Sequence, residues 1–492
     1  MHPLLRRRAA GLLLHPTSLP ADGPIGDIGP VAHAFVRSLA RAGQRWWQML
    51  PVVVPGAGNS PYSAPTTFAG SPLLVSHELL AADGWVEPPA RRGATGSADY
   101  VVAWAQRRAL LGRAWVRWRE RGGPDDPGFR EFVAREREWL DDWALYTAIK
   151  GRHAQAGWLD WPAPLRDREP AALARAHAEL AGPVQCEQFA QWVFDRQWAR
   201  LREAAAAAGV GLVGDLPIFV ELDSADAWAH REVFRLGPGG RPSHVAGVPP
   251  DAFSATGQRW GNPLYDWPAL AATGYAWWVR RVRHALRLFD LVRLDHFIGF
   301  HRAWAIPADE PDARRGEWEP GPGRALFDAL AAACGGLPFL AEDLGLLVPA
   351  VEALRDALGL PGMRVVQFAF DGDPTNPHLP ANHPPASVSY VGTHDNDTAA
   401  GWLASLDDAT RARVADACGR APDALALVEL ALGSPATTAI VTAQDLLGLG
   451  SEARMNTPAV AAGNWTWRLR GESWTPALEE RLARLTAAAG RA

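Results

Sequence analysis

Leu288-Phe289-Asp290-Leu291-Val292-Arg293-Leu294-Asp295-His296-Phe297 is a short apolar run that ends on a charged pair. Two further runs end the same way. Leu340-Ala341-Glu342-Asp343-Leu344-Gly345 closes one, and Gly392-Thr393-His394-Asp395-Asn396-Asp397-Thr398 closes the other. Each reads as a buried strand followed by turn residues or the start of a helical pattern. Carboxylates gathered at the C-terminal ends of parallel strands are how barrel enzymes build an active site.

Working outward, further β-like runs recur at Gly11–Leu14, Trp46–Val54, Gly211–Phe219, Pro338–Glu342, Arg364–Phe370, Val388–Thr393 and Ala439–Gln444. Amphipathic stretches of helical length separate most of them, among them Val31–Ala42, Glu187–Ala208, Tyr275–Leu288 and Val348–Leu358. Alternating strand and helix implies a parallel sheet, and eight such units favour a closed (β/α)8 TIM barrel. The expected organisation is one catalytic domain over 1–492. It carries a large, mostly helical insertion at 72–205, between barrel strands 2 and 3, on the C-terminal face. Residues 236–267 are rich in Gly and Pro and read as a long loop. A loop of that length inside a compact domain is usually functional.

The chain of 492 residues has a net charge of −5, so neither nucleic acid nor an anionic membrane is expected as a partner. Three cysteines lie far apart without a CxxC pair, which fits a reducing cytoplasm better than a disulfide scaffold. No apolar run approaches the roughly 20 residues of a membrane span. The basic, apolar start ending at Leu14 runs straight into His15-Pro16 and reads as a first strand. No glycine-rich dinucleotide or phosphate fingerprint follows a strand, and His and Asp lack the tight spacing of a metal site. No cofactor and no metal are expected. Trp115, Trp118, Trp139 and Trp143 sit at helical spacing and read as packing residues.

Side chains alternate along a strand, so Arg293 and Asp295 share a face. The guanidinium favours the ionised carboxylate, as a nucleophile requires, and the same pair would equally serve as a structural ion pair at a strand end. Glu342 and Asp343 are adjacent, so one points into the mouth while the other faces the helices or caps the turn. Anionic neighbours would raise the pKa of the inward group and keep it protonated as a general acid. Asp395 stands where a carboxylate could bind sugar hydroxyls, and His394 and His296 offer neutral donors.

Many short segments share one likeness. They include Leu14-His15-Pro16-Thr17-Ser18-Leu19-Pro20, Ser60-Pro61-Tyr62, Gly214-Asp215-Leu216-Pro217-Ile218-Phe219-Val220 and Trp260-Gly261-Asn262-Pro263-Leu264-Tyr265-Asp266-Trp267. Glu452-Ala453-Arg454-Met455-Asn456-Thr457-Pro458 and the three acidic segments continue it. Over nearly its whole length the chain resembles glycoside hydrolase family 77, the 4-α-glucanotransferases of the α-amylase clan. The resemblance implies retaining transfer of α-1,4-glucan segments, with α-1,4-glucans as partners. It implies Asp295 as nucleophile, Glu342 as general acid and base, Asp395 as transition-state stabiliser and Arg293 as the holder of Asp295. It also implies sugar contacts from His394, Asp215, Trp260, Tyr62 and Asn464, and a lid over the cleft in the loop 236–267, around Val245–Asn262.

The chain departs from the family pattern at Ala252, Ile298, Ala305 and Ala459-Val460, none of them among the three carboxylates. These positions bear on acceptor preference, product size and lid behaviour. A hydrolase of α-1,4-glucans is the nearest rival reading. A glucan-binding barrel without catalysis would be free to lose one of Arg293, Asp295, Glu342 and Asp395, and all four are present. A sugar-phosphate enzyme would want a glycine-rich phosphate cradle, for which Gly448-Leu449-Gly450 is too slight.

Overall fold

The computed structural model describes residues 1–90, 93, 94, 96–250, 254–345 and 348–492. Twelve strands run in chain order: β1 (Ala9–Leu13), β2 (Trp46–Gln48), β3 (Gly211–Leu216), β4 (His244–Val248), β5 (Gln258–Pro263), β6 (Leu291–Leu294), β7 (Arg302–Pro307), β8 (Glu317–Pro320), β9 (Phe339–Ala341), β10 (Gly362–Val365), β11 (Ser387–Tyr390) and β12 (Thr438–Thr442). Eight of them close a parallel barrel in the order β1-β12-β11-β10-β9-β6-β3-β2. Each coincides with one of the eight expected runs. Their ends differ: the run at Trp46–Val54 pairs only over 46–48, and the run at Arg364–Phe370 pairs over 362–365 before a tight turn at Val366–Phe368.

Alternation sorts the core into two layers. Leu13, Trp46, Val213, Leu291, Leu340, Met363, Val365, Val388, Tyr390 and Ile440 fill the barrel interior. Leu12, Trp47, Leu212, Val292, Leu294, Phe339, Ala341 and Val441 face the surrounding helices. The floor of the interior depends on two glycines. A Cβ on Gly11 would lie 2.6 Å from Trp46 Cβ, and one on Gly211 would lie 2.3 Å from the Trp46 ring. Only residues without a side chain leave room for that indole.

Helices Pro30–Arg41, Ala181–Ala207, Ala276–Leu288, Gly323–Cys334, Pro349–Ala357 and Ala424–Gly433 lead into barrel strands, and Pro476–Ala488 follows the last. The alternation lapses between β10 and β11, where the described residues form only short turns at Val366–Phe368 and Pro380–Asn382. Helices His77–Ala82, Tyr100–Glu120, Pro127–Arg152 and Pro170–Glu179 occupy the stretch between β2 and β3. Side chains of Ser76, Asp99 and Asp126 cap the first three of them. Trp118 and Trp143 are buried there, and Trp115 and Trp139 pack against the same core.

One expectation is corrected. Residues 236–267 are not a plain loop: β4 and β5 lie within them and join a four-stranded antiparallel sheet in the order β5-β4-β7-β8. β4 pairs with its neighbour β5 and also with β7, the latter from His244↔Pro307 to Gly247↔Trp304. That pairing lies far away in the chain, while the local signal from Gly237, Gly239, Gly240, Pro249 and Pro250 reads as turn. Ala252 lies outside the described residues.

Candidate active site

The alternation that packs the barrel also aims its carboxylates. Leu291 and Arg293 point inward on β6, and Asp295 continues their parity past the strand end. Val213 likewise sets Asp215 inward on β3, and Leu340 sets Glu342 inward after β9. Asp343 has the opposite parity and turns toward the helices. There it accepts hydrogen bonds from Arg355, from Arg364 (3.3 Å) and from the Met363 amide (2.7 Å). The sequence left Glu342 and Asp343 to divide the inward and outward places, and the backbone settles which takes which.

Arg293 is the hub of the rim. Its Nη1 donates to both oxygens of Asp215 at 2.8 Å and to Asp295 Oδ1 at 2.9 Å. Asp215 also accepts from the Tyr62 hydroxyl at 2.7 Å, and its side chain is 0% exposed. Its place is therefore behind Arg293 and not on the open cleft. Asp295 keeps 26% of its side chain exposed, so it is the paired carboxylate that a ligand can reach. Two anionic neighbours hold the Arg293 guanidinium charged against its burial.

Glu342 is buried without a cation of its own. Its Oε2 accepts from the His296 amide at 2.7 Å and its Oε1 from the Leu344 amide at 3.0 Å. His296 adopts left-handed backbone, φ 50°, a conformation sparsely populated by residues with a Cβ. The kink turns its N–H onto the neighbouring strand's carboxyl, so Glu342 lies against the residue that follows Asp295. Burial pushes the Glu342 carboxyl up to about 8, Asp295 adds to that, and Arg293 and the two amides oppose it. Burial likewise drives the His296 imidazole down to about 4, which leaves it neutral.

A third carboxylate stands on the segment after β11. Asp395 Oδ1 lies 3.3 Å from His394 Nε2 and accepts from Asn456 Nδ2 at 2.6 Å. The ring of Tyr62 stacks on His394 with centroids 5.2 Å apart and planes 7° apart, and Trp465 flanks both. Trp260, on β5, sets its ring edge-on to His296 at 4.8 Å. Asn464 spends its amide on its own loop: Oδ1 accepts from Thr457 N, and Nδ2 donates to Val460 O and Thr457 O. Asn456, Arg454 and Trp465 carry no role in the sequence reading, although the first two stand in one of the family-like segments. Each acts by contact with a residue far away in the chain, and none carries a catalytic carboxylate that would have drawn notice. Among the described residues no group of three His, Cys, Asp or Glu side chains is placed to hold a metal.

Barrel and rim together define the class: a (β/α)8 enzyme whose chemistry sits where strands end in carboxylates. Residues 14–474 match the family model of glycoside hydrolase family 77, described as 4-alpha-glucanotransferase. The chain belongs to that family and is a 4-alpha-glucanotransferase, a glycosyl-transferring enzyme. A 4-alpha-glucanotransferase of Thermus thermophilus is 46% identical over 98% of this chain and 99% of its own. One from Synechocystis is 43% identical over 99% of both chains. An amylomaltase of Streptococcus agalactiae, solved in complex with acarbose, superposes with a TM-score of 0.95 at 33% identity, over 99% of this chain and 100% of its own.

Proposed function

We propose that this enzyme moves a segment of an α-1,4-glucan to the 4-hydroxyl of an acceptor glucose or maltodextrin by a retaining double displacement. The observation that carries the reading is the split between two rim carboxyls. Asp295 is ion-paired and partly open, whereas Glu342 is buried, cation-poor and pushed up to about 8. Opposed protonation states across one scissile bond are what retaining cleavage requires.

In the first step the Asp295 carboxylate attacks C1 of the donor sugar. The bond from C1 to the departing 4-oxygen breaks, and Glu342 gives that oxygen its proton. A covalent glycosyl ester on Asp295 remains. In the second step Glu342, now a carboxylate, takes the proton of an acceptor 4-hydroxyl, whose oxygen attacks C1 and releases Asp295. The two amides on Glu342 suit both halves. They stabilise its anion once the proton has left, while burial restores the proton afterwards.

Asp395 would accept hydrogen bonds from hydroxyls of the reacting sugar as its ring flattens. Tyr62, His394 and Trp260 would line the sugar, with Asp215 and Asn464 supporting that surface from behind. The segment 236–267, which carries Trp260, is proposed as the lid; its contact with His296 supports a place over the rim. Excluding water while an acceptor is held favours transfer over hydrolysis. The α-glucan as partner, and a cytoplasmic setting, belong to the same proposal.

Maltotriose incubated alone tests it. A ladder of longer dextrins with glucose, the transferred linkage staying α, is the expected product. Steady conversion to glucose and maltose without longer chains would place the enzyme among hydrolases.

A further inference from the structure

We propose that Asn456 is the positioning residue of Asp395, an inference that rests on the role given to Asp395 above. Among the described residues Asp395, unlike Asp295, has no arginine on its carboxylate. Its side chain is 42% exposed, and within its own segment only His394 Nε2 approaches it, at 3.3 Å. The short contact comes from 61 residues further along, where Asn456 Nδ2 donates to Oδ1 at 2.6 Å. Among the described residues no hydrogen bond reaches Oδ2, which leaves that oxygen available to a ligand.

Asn456 is itself held in a small clamp. Its amide N–H donates to the His394 carbonyl at 3.0 Å. Its carbonyl accepts from Arg454 Nε at 2.8 Å, and the same guanidinium donates through Nη2 to the Asp395 carbonyl at 2.5 Å. Arg454 thus ties together the main chain on both sides of the Asn456–Asp395 bond. The segment 454–456 fixes where the third carboxylate begins and which way it points.

An amide is the group that suits this task. It anchors one carboxylate oxygen without bringing the counter-charge that an arginine would add. The other oxygen is then aimed without being neutralised. A carboxylate that must meet hydroxyls as charge develops loses rate if it first has to find its rotamer.

N456D tests the donor in an isosteric frame. It removes the N–H, keeps the backbone contacts and sets a second carboxyl against Asp395. The titratable and charged groups around the pair are His394, Tyr62 and Arg454, and they are the same in variant and wild type. Near pH 7.5 kcat for disproportionation of maltotriose is expected to fall about 10- to 100-fold, with KM changed far less. Toward about pH 5 the protonated carboxyl can donate to Oδ1 again, so N456D regains activity relative to wild type. N456A shows the same loss of kcat without the recovery, and it carries the test through the kcat–KM split should N456D fail to fold. Wild-type kcat in both variants overturns the proposal. So does an equal loss in both with no recovery in acid, which marks a merely structural contact. D395N is the control that separates the two layers of inference. If it transfers normally, the role of Asp395 falls, and with it the premise. If it is inactive while N456D behaves as wild type, only the positioning role falls.

Discussion

Glu342 and Asp343 are consecutive in the chain, both buried, and they end in two different regions of the molecule. Asp343 lies between barrel and helices, where two arginines and an amide converge on it. A Cβ on Gly362 would come within 2.3 Å of that carboxylate, so the neighbouring strand is shaped to let it in. Glu342 lies at the rim, where it receives two backbone amides and the neighbouring cation, Arg293, is engaged by Asp215 and Asp295. The difference teaches that burial alone does not decide what a carboxylate does. Full pairing makes an ionic fastener; burial with neutral donors makes a group that can hold or release a proton near neutral pH.

The largest effects should fall on the rim. Asp295→Asn or Glu342→Gln is expected to lower turnover of maltotriose by about 10³-fold or more with the fold retained, as read by product analysis beside circular dichroism. Near-normal transfer by either purified variant would break the assignment.

The outer region should respond in stability. Asp343→Ala leaves Arg355 and Arg364 facing each other without their shared anion, and denaturant unfolding is expected to show a loss of about 3–5 kcal/mol. Activity per folded molecule should suffer far less than in the rim variants. If instead Asp343→Ala unfolds like wild type, the contrast between the two regions is lost.

An effect of opposite sign comes from pH. The folded Glu342 carboxyl is raised from 4.5 to about 8. Its contribution to stability is complete below 4.5 and is lost as pH rises toward 8, because the unfolded carboxyl ionises freely over that range. Glu342→Gln carries no such cost. Its melting temperature should exceed that of wild type at pH 9 and match it near pH 4. Over the same upper range kcat/KM of wild type should decline as the general acid loses its proton. A flat profile across pH 7–9 would count against Glu342 as the acid.

The smallest effect supplies a baseline. Arg324 and Asp328 pair on the surface with side chains 60% and 59% exposed. Arg324→Ala should shift unfolding by no more than about 0.5 kcal/mol. A larger shift would mean that exposure is a poor guide to what an ion pair is worth in this molecule.

The barrel was legible because most of its strands announce themselves: an apolar run, an acidic or polar end, then a helical pattern. Strand parity let Arg293 and Asp295 be placed on one face before any coordinates. What escaped notice depends on partners distant in sequence. β4 sits between β5 and the sequence-distant β7. Asp395 has its orientation from Asn456, and Asn464 ties Thr457 and Val460 within its own loop. The missing helix between β10 and β11 has no positive signal at all, since the turn at Val366–Phe368 reads as more strand.

The closure of β1 onto β12 carries one more consequence. Asp215, Arg293, Glu342 and the segment bearing Asp395 come from four different staves of one hoop, and the seam between first and last stave runs from Ala9↔Thr438 to Leu13↔Thr442. The four lie on one arc, β11-β10-β9-β6-β3, but Tyr62 after β2 and Asn456 after β12 reach them from the two staves that β1 joins. A molecule whose hoop has sprung at β1 should therefore keep its carboxylates together and lose the contacts that Tyr62 and Asn456 make on them. Catalysis then doubles as a gauge of whether the ring is shut.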